Sequence, residues 1–189
     1  MKLKYYAITT ALLFFFLILL SGCTETSNDN ESPITNDGHN FSFSLLDGTT
    51  KQLIDYRGKV VIMDLWATWC TPCQVQMLEL RKAYTNYSRD ELEILSINID
   101  ARETATTIQN FLEQYKNYGY ELKWIFAEEL DNLDEYNPLG SIPRLCIFDK
   151  DGALFWEHNG LTYYNQFPEG WTYEKIPLKE KIDQALLVQ

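Results

Sequence analysis

Apolar residues recur at Phe41, Phe43 and Leu45, and the alternation stops at Asp47-Gly48. A two-residue period that ends on a turn pair predicts a hairpin. Lys59 leads into VVIMDLWA, residues 60–67, which is apolar almost throughout, as a strand must be when its sheet is covered on both faces. From about Pro72 to Tyr87 the pattern predicts a helix, with Pro72 in the first turn, where its missing amide proton is not needed. LEILSINI, residues 92–99, predicts a strand. A second helix follows from about Glu103 to Lys116, with Ile108, Phe111, Leu112 and Tyr115 as its core stripe. Tyr120–Ala127 predicts a strand and Glu128–Tyr136 a short acidic helix. PRLCIFDKDGALFWEHNG, residues 143–160, predicts two strands across a turn at Asp151-Gly152, and a last helix starts near Leu178. This succession describes an α/β sandwich around a mixed sheet, with no internal repeat.

Ahead of the hairpin the pattern changes twice. Residues 24–40, TETSNDNESPITNDGHN, hold one apolar residue, Ile34; such a stretch can bury little and predicts a flexible tether, with His39 as an incidental surface residue. Residues 1–22 carry Lys2 and Lys4, an apolar run from about Ala7 to Leu20, then Ser21 and Gly22 before Cys23. A charged head, a short apolar core and small residues at its end describe a secretory signal. Leu20-Ser21-Gly22-Cys23 resembles the lipobox of lipoproteins. The resemblance implies cleavage before Cys23, a lipid anchor on that cysteine and a domain held outside the cytoplasm at a membrane. The expected divisions are therefore a signal peptide at 1–22, a lipidated cysteine and tether at 23–40, and one folded domain at 41–189.

Removing residues 1–22 takes away two lysines and no acid, so the formal charge moves from −11 to −13. A domain this acidic is a poor ligand for nucleic acid or for anionic lipid. Four cysteines, at 23, 70, 73 and 146, are too few for a disulfide-built scaffold. With Cys23 lipidated, one close pair and one single cysteine remain.

The pair lies in WATWCTPC, residues 66–73, where a strand gives way to a helix. Unpaired amide protons and the positive end of the helix dipole stabilise a thiolate at Cys70, the attacking species in disulfide exchange. Cys73, three residues on, shares the same face and is near enough to resolve a mixed disulfide formed at Cys70. Asp64 interrupts an apolar strand, where an unpaired charge is costly. If it lies beneath the pair, burial raises its pKa and suits it to accept a proton from Cys73; the other reading is a structural acid at a strand edge or hydrogen-bonded in the core. Ile142-Pro143 places a proline where a strand begins, and a proline cannot complete the ladder there.

VVIMDLWATWCTPC resembles the active-site segment of thioredoxins and, in its Trp-Ala-Thr-Trp-Cys wording, that of the membrane-tethered TlpA and ResA group. YRGK at 56–59, SINID at 96–100 and SIPRLCIFDKDG at 141–152 match the same family in order. The resemblance implies a thioredoxin-like three-layer sandwich with a central mixed sheet. It makes Cys70 the nucleophile, Cys73 the resolving thiol, Asp64 the acid beneath them and Pro143 a cis proline. Substrate contact falls to Trp69, Thr71 and Pro72 on the cysteine side and to Ile142, Pro143 and Arg144 on the proline side. The implied activity is thiol-disulfide exchange on extracytoplasmic proteins, most of all disulfide reduction as in cytochrome c assembly or oxidative repair. It would be carried out by a monomeric catalytic domain without cofactor or metal, fed by a membrane-side redox partner. Oxidation or isomerisation through the same pair is the alternative direction.

Two departures from the family stand out. Gln76-Met77-Leu78 occupies the place of a common Glu-Met-Pro segment, which predicts a less kinked helix and one charge fewer near the site. Arg144 stands where a small residue usually follows the cis proline, as a selector of acidic partners or as a surface residue. Cys146 alternates with Arg144 and Phe148 and reads as a buried, apolar-like thiol, with a redox or ligand role as the alternative. The aromatic group Trp156, Tyr163, Tyr164, Phe167, Trp171 and Tyr173 reads as core and edge packing, with a partner surface as the alternative. Metal delivery would need ligands beyond His39 and His158, neither at an informative spacing; a thiol peroxidase and a redox-silent binding module are the remaining alternatives.

Overall fold

Every residue of Val60–Trp66 is buried, and this strand organises the rest. The computed structural model describes residues 39–172 and 177–188. The stretch read as a signal peptide, the lipobox-like residues with Cys23, the expected tether up to residue 38, and Tyr173 lie outside these residues. The strands are β1 (Ser42–Leu45), β2 (Thr50–Gln52), β3 (Val60–Trp66), β4 (Leu92–Asn98), β5 (Ile125–Glu129), β6 (Arg144–Phe148) and β7 (Leu154–Asn159); the helices are α1 (Thr71–Asn86), α2 (Ala105–Asn117) and α3 (Leu178–Leu187), with a 3-10 turn at Leu53–Tyr56. One seven-stranded sheet runs in the order β2-β1-β5-β4-β3-β6-β7. β4 is parallel to both β3 and β5, and the remaining pairs are antiparallel.

The two parallel crossovers run through α1 and α2 in the same direction along the sheet, so right-handed connection puts both helices on one face. That face holds Ile62 and Trp66 of β3 with Met77 and Leu80 of α1, Ile108 and Phe111 of α2, and Ile182 and Ala185 of α3. The opposite face holds Val61, Met63 and Leu65 under Leu53, Leu133 and Tyr136. The sheet is therefore the middle layer, with helices on one side and the 3-10 turn and the segment after β5 on the other. Period-two alternation assigns Asp64 to the helical face. Among the described residues no helix is long and apolar enough to cross a membrane.

Most predicted elements stand within two residues of their expected limits. The exception is the stretch after α2. The strand expected over Tyr120–Ala127 begins only at Ile125, and the acidic helix expected over Glu128–Tyr136 is absent: Glu128 and Glu129 complete β5, and turns follow. Polar side chains compete for the backbone there. The Glu129 carboxylate accepts from the Leu133 amide, Asn132 Oδ1 from the Asp134 amide, and Asp131 Oδ2 from the Ser42 amide of β1. His39, read as an incidental surface residue, is half-buried beside the rings of Tyr136 and Phe148.

Candidate active site

Helix α1 begins at the cysteine pair because Cys70 is its N-cap. Its Sγ accepts from the Cys73 amide at 3.2 Å and its carbonyl from the Gln74 amide at 3.1 Å. Sulfur thus stands where a Ser or Asp oxygen usually caps a helix, in the field of the free N-terminal amides. Cys70 and Cys73 are joined in a disulfide. Cys70 is 4% exposed and Cys73 fully buried; Thr71 and Pro72 between them are exposed.

The loop that carries Cys70 is held from the β4–α2 connection. Glu103 accepts from the Thr68 amide at 3.0 Å, from the Thr68 hydroxyl, and from Asn98 Nδ2 at 2.6 Å. Trp69 is 62% exposed, yet its indole N–H donates to Asp100 Oδ2 at 2.7 Å, and Arg102 binds the same carboxylate at 2.6 Å. The Arg102 guanidinium and, after it, the Trp69 indole hold the Asp100 carboxyl well below the usual range by their hydrogen bonds. The side chain flanking the disulfide is thus exposed but tethered. Neither Asp100 nor Glu103 was singled out from the sequence; SINID marked the strand end, but nothing local says that the next acids turn back to residues 68 and 69.

Asp64 is fully buried and faces Ser96 across the β3–β4 ladder. The Ser96 hydroxyl donates to Asp64 Oδ2 at 2.9 Å, while Oδ1 has no hydrogen-bond partner among the described residues. Desolvation pushes the carboxyl up to about 7, against the smaller downward effect of the Ser96 bond. A carboxyl that changes charge near neutrality thus lies on the sheet face that carries the disulfide. Ile142-Pro143 is a cis peptide bond. Since Leu65 pairs with Arg144, Pro143 lies at the sheet end where β3 runs out towards Cys70.

Arg144 is not the surface residue that one of its two readings expected. It is 8% exposed, on the sheet face away from Cys73, with Nε donating to the Tyr136 carbonyl at 2.7 Å and a terminal nitrogen to Glu157 at 2.6 Å. Its charge is thus bound within the fold, and a freely exposed residue does not describe it. Cys146, a free buried thiol on that face, is pushed up to about 12 by desolvation, which keeps it protonated and inert. His158 stacks on Trp156. Tyr163, Phe167 and Trp171 pack on one another. Gln76, buried one turn beyond Cys73, accepts from the Thr162 amide, and Glu79 from the Tyr164 amide, each at 2.9 Å. Among the described residues no three His, Cys, Asp or Glu side chains form a metal-holding group.

A thioredoxin-like sheet with a Cys-x-x-Cys disulfide capping the helix after its central strand defines a thiol-disulfide oxidoreductase. The chain belongs to the AhpC/TSA family, whose model matches residues 34–156. It is 30% identical to the thiol-disulfide oxidoreductase ResA of Bacillus cereus over 76% of this chain and 79% of that protein. A structure from Chlorobium tepidum, assigned as the thiol:disulfide interchange protein DsbE, superposes with a TM-score of 0.60 at 22% identity, covering 78% of this chain and 93% of that one. The exposed lipoprotein thioredoxin of Streptococcus pneumoniae superposes with a TM-score of 0.52 at 25% identity, covering 78% and 97%.

Proposed function

We propose that the chain reduces disulfides of extracytoplasmic proteins, with Cys70 as nucleophile, Cys73 as resolving thiol and Asp64 as proton acceptor. The observation that carries this reading is the Cys70–Cys73 disulfide, with Cys70 Sγ accepting from the Cys73 amide at the α1 N-terminus and Cys73 sealed behind it. In the reduced enzyme the Cys70 thiolate attacks one sulfur of a partner disulfide, and the other partner sulfur leaves with the bonding pair and takes a proton. Cys73 then gives its proton to Asp64, and its thiolate attacks Cys70 Sγ. The Cys70–partner bond breaks, and the partner sulfur departs with its pair and is protonated. Two electrons have passed to the partner and the enzyme is left as the Cys70–Cys73 disulfide. A dithiol donor on the membrane side restores the reduced form. Trp69, Thr71 and Pro72 border the partner on one side, and Ile142 and Pro143 on the other.

The location rests on the signal-like segment and on Leu20-Ser21-Gly22-Cys23, and accords with a similar chain named as an exposed lipoprotein. Trapping tests the function. With Cys73→Ser, mixed disulfides should accumulate between Cys70 and exported proteins, and Cys70→Ser should yield none and fail to reduce insulin disulfides. Full turnover by Cys73→Ser would refute the assigned mechanism, and peroxide turnover retained by that variant would point to a peroxidase instead.

A further inference from the structure

The proton acceptor proposed above does not stand alone in the core. Ser96 Oγ lies 2.9 Å from Asp64 Oδ2 and 2.9 Å from Trp124 Nε1. An indole N–H only donates, so the Ser96 oxygen must accept on the Trp124 side. The one hydroxyl proton that remains is thereby directed at Asp64. A serine hydroxyl ordinarily turns to suit its surroundings; this one is fixed as a donor. Trp124 is itself held, stacked on Phe126 with ring centres 5.4 Å apart and flanked by Tyr84 at 6.0 Å.

We infer that Ser96 and Trp124 are positioning residues for proton exchange at Asp64: the chain Trp124→Ser96→Asp64 occupies Oδ2 as an acceptor and leaves Oδ1 as the atom that takes the proton of Cys73. The inference rests on the reading of Asp64 as that acceptor. Among the described residues no cation shares the task. On β3 the neighbours on this face are Ile62 and Trp66, on β4 Ile94, on β6 Leu145 and Ile147, and on α1 Cys73, Met77 and Leu80. The other buried polar side chains of α1 bond elsewhere: Gln76 Oε1 accepts from the Thr162 amide, and Glu79 accepts from the Tyr164 amide and from Lys82. An exposed carboxylate would be surrounded by water donors, whereas this one depends on a single directed hydroxyl to favour its charged form. Removing that donor must make the acid harder to ionise, and so delay resolution to higher pH.

The test follows Asp64 ionisation by carbon NMR in the full chain, together with the pH profile of partner release from a preformed Cys70 mixed disulfide. Ser96→Ala should raise the Asp64 midpoint by about one pH unit, the equivalent of one hydrogen bond to a charged group, and shift the release profile by the same amount. Ser96→Thr, which keeps the hydroxyl, should keep the wild-type midpoint. Trp124→Phe, which frees the hydroxyl to turn away, should shift it in the same direction by less. An unmoved midpoint in Ser96→Ala would overturn the positioning role of Ser96, and an unmoved midpoint in Trp124→Phe that of Trp124. Failure of the underlying reading looks different: Asp64→Asn would then release partners with the wild-type pH profile.

Discussion

Burying a carboxyl with one hydroxyl for company ties stability to pH. Asp64 ionises at about 7 in the folded protein, against 3.8 as its ordinary value. Between these limits the unfolded chain has released the proton while the folded chain still holds it. Stability therefore falls as pH rises through this window and levels off above about 7, by about 4 kcal/mol in all. We predict that Asp64→Asn removes this contribution, so that urea midpoints at about pH 5 and about pH 8 draw together; an unchanged gap would show that Asp64 is not its source. Arg144 belongs to the same scale. Arg144→Thr strips the Tyr136 carbonyl and Glu157 of their donor, which should cost about 1–3 kcal/mol in a denaturation curve. If the guanidinium acts only within the fold, the ranking of disulfide partners stays as it was.

Helix α1 connects the chemistry to the aromatic segment after β7. Gln76 and Glu79, one turn apart, each accept a backbone N–H from residues 162 and 164, and the following backbone returns to α3 through the Leu178 and Lys179 amides. Glu79→Ala leaves the Tyr164 amide unpaired in a buried position. It should lower stability by about 1–3 kcal/mol and speed hydrogen exchange at Tyr164 while leaving that at Leu95 in β4 close to its rate in the parent. Equal acceleration at both would mean global weakening rather than release of a clasp. At this scale the sequence was legible where period or motif is local: β3 as an apolar run, α1 opening at Cys70, and Cys146 alternating with Arg144. It was illegible where partners are distant. The strand limits of β5 depend on pairing with β4 and β1, and the turns after it on side chains that bind neighbouring amides. Ser96, Trp124, Asp100 and Glu103 acquire their roles only when β4 is laid beside β3, and the burial of Arg144 shows only when Tyr136 and Glu157 close on it.

The whole molecule is strongly acidic, with a formal charge of −11. Such a field attracts cationic partners and repels anionic ones until salt screens it. Of two disulfide peptides alike except in net charge, the cationic one should be reduced with the higher kcat/KM at low ionic strength, the two converging as salt is raised; equal values throughout would show that the field does not reach the site. The account turns on which sulfur attacks. With the fully reduced protein and a limiting amount of alkylating reagent, the modified peptides can be counted by mass spectrometry. The account predicts that Cys70 is labelled at least about tenfold ahead of Cys73 and Cys146, since a thiolate held at a helix N-terminus is the reactive form of a cysteine and the other two are sealed in the core. Labelling of Cys73 first, or of both at one rate, would contradict it.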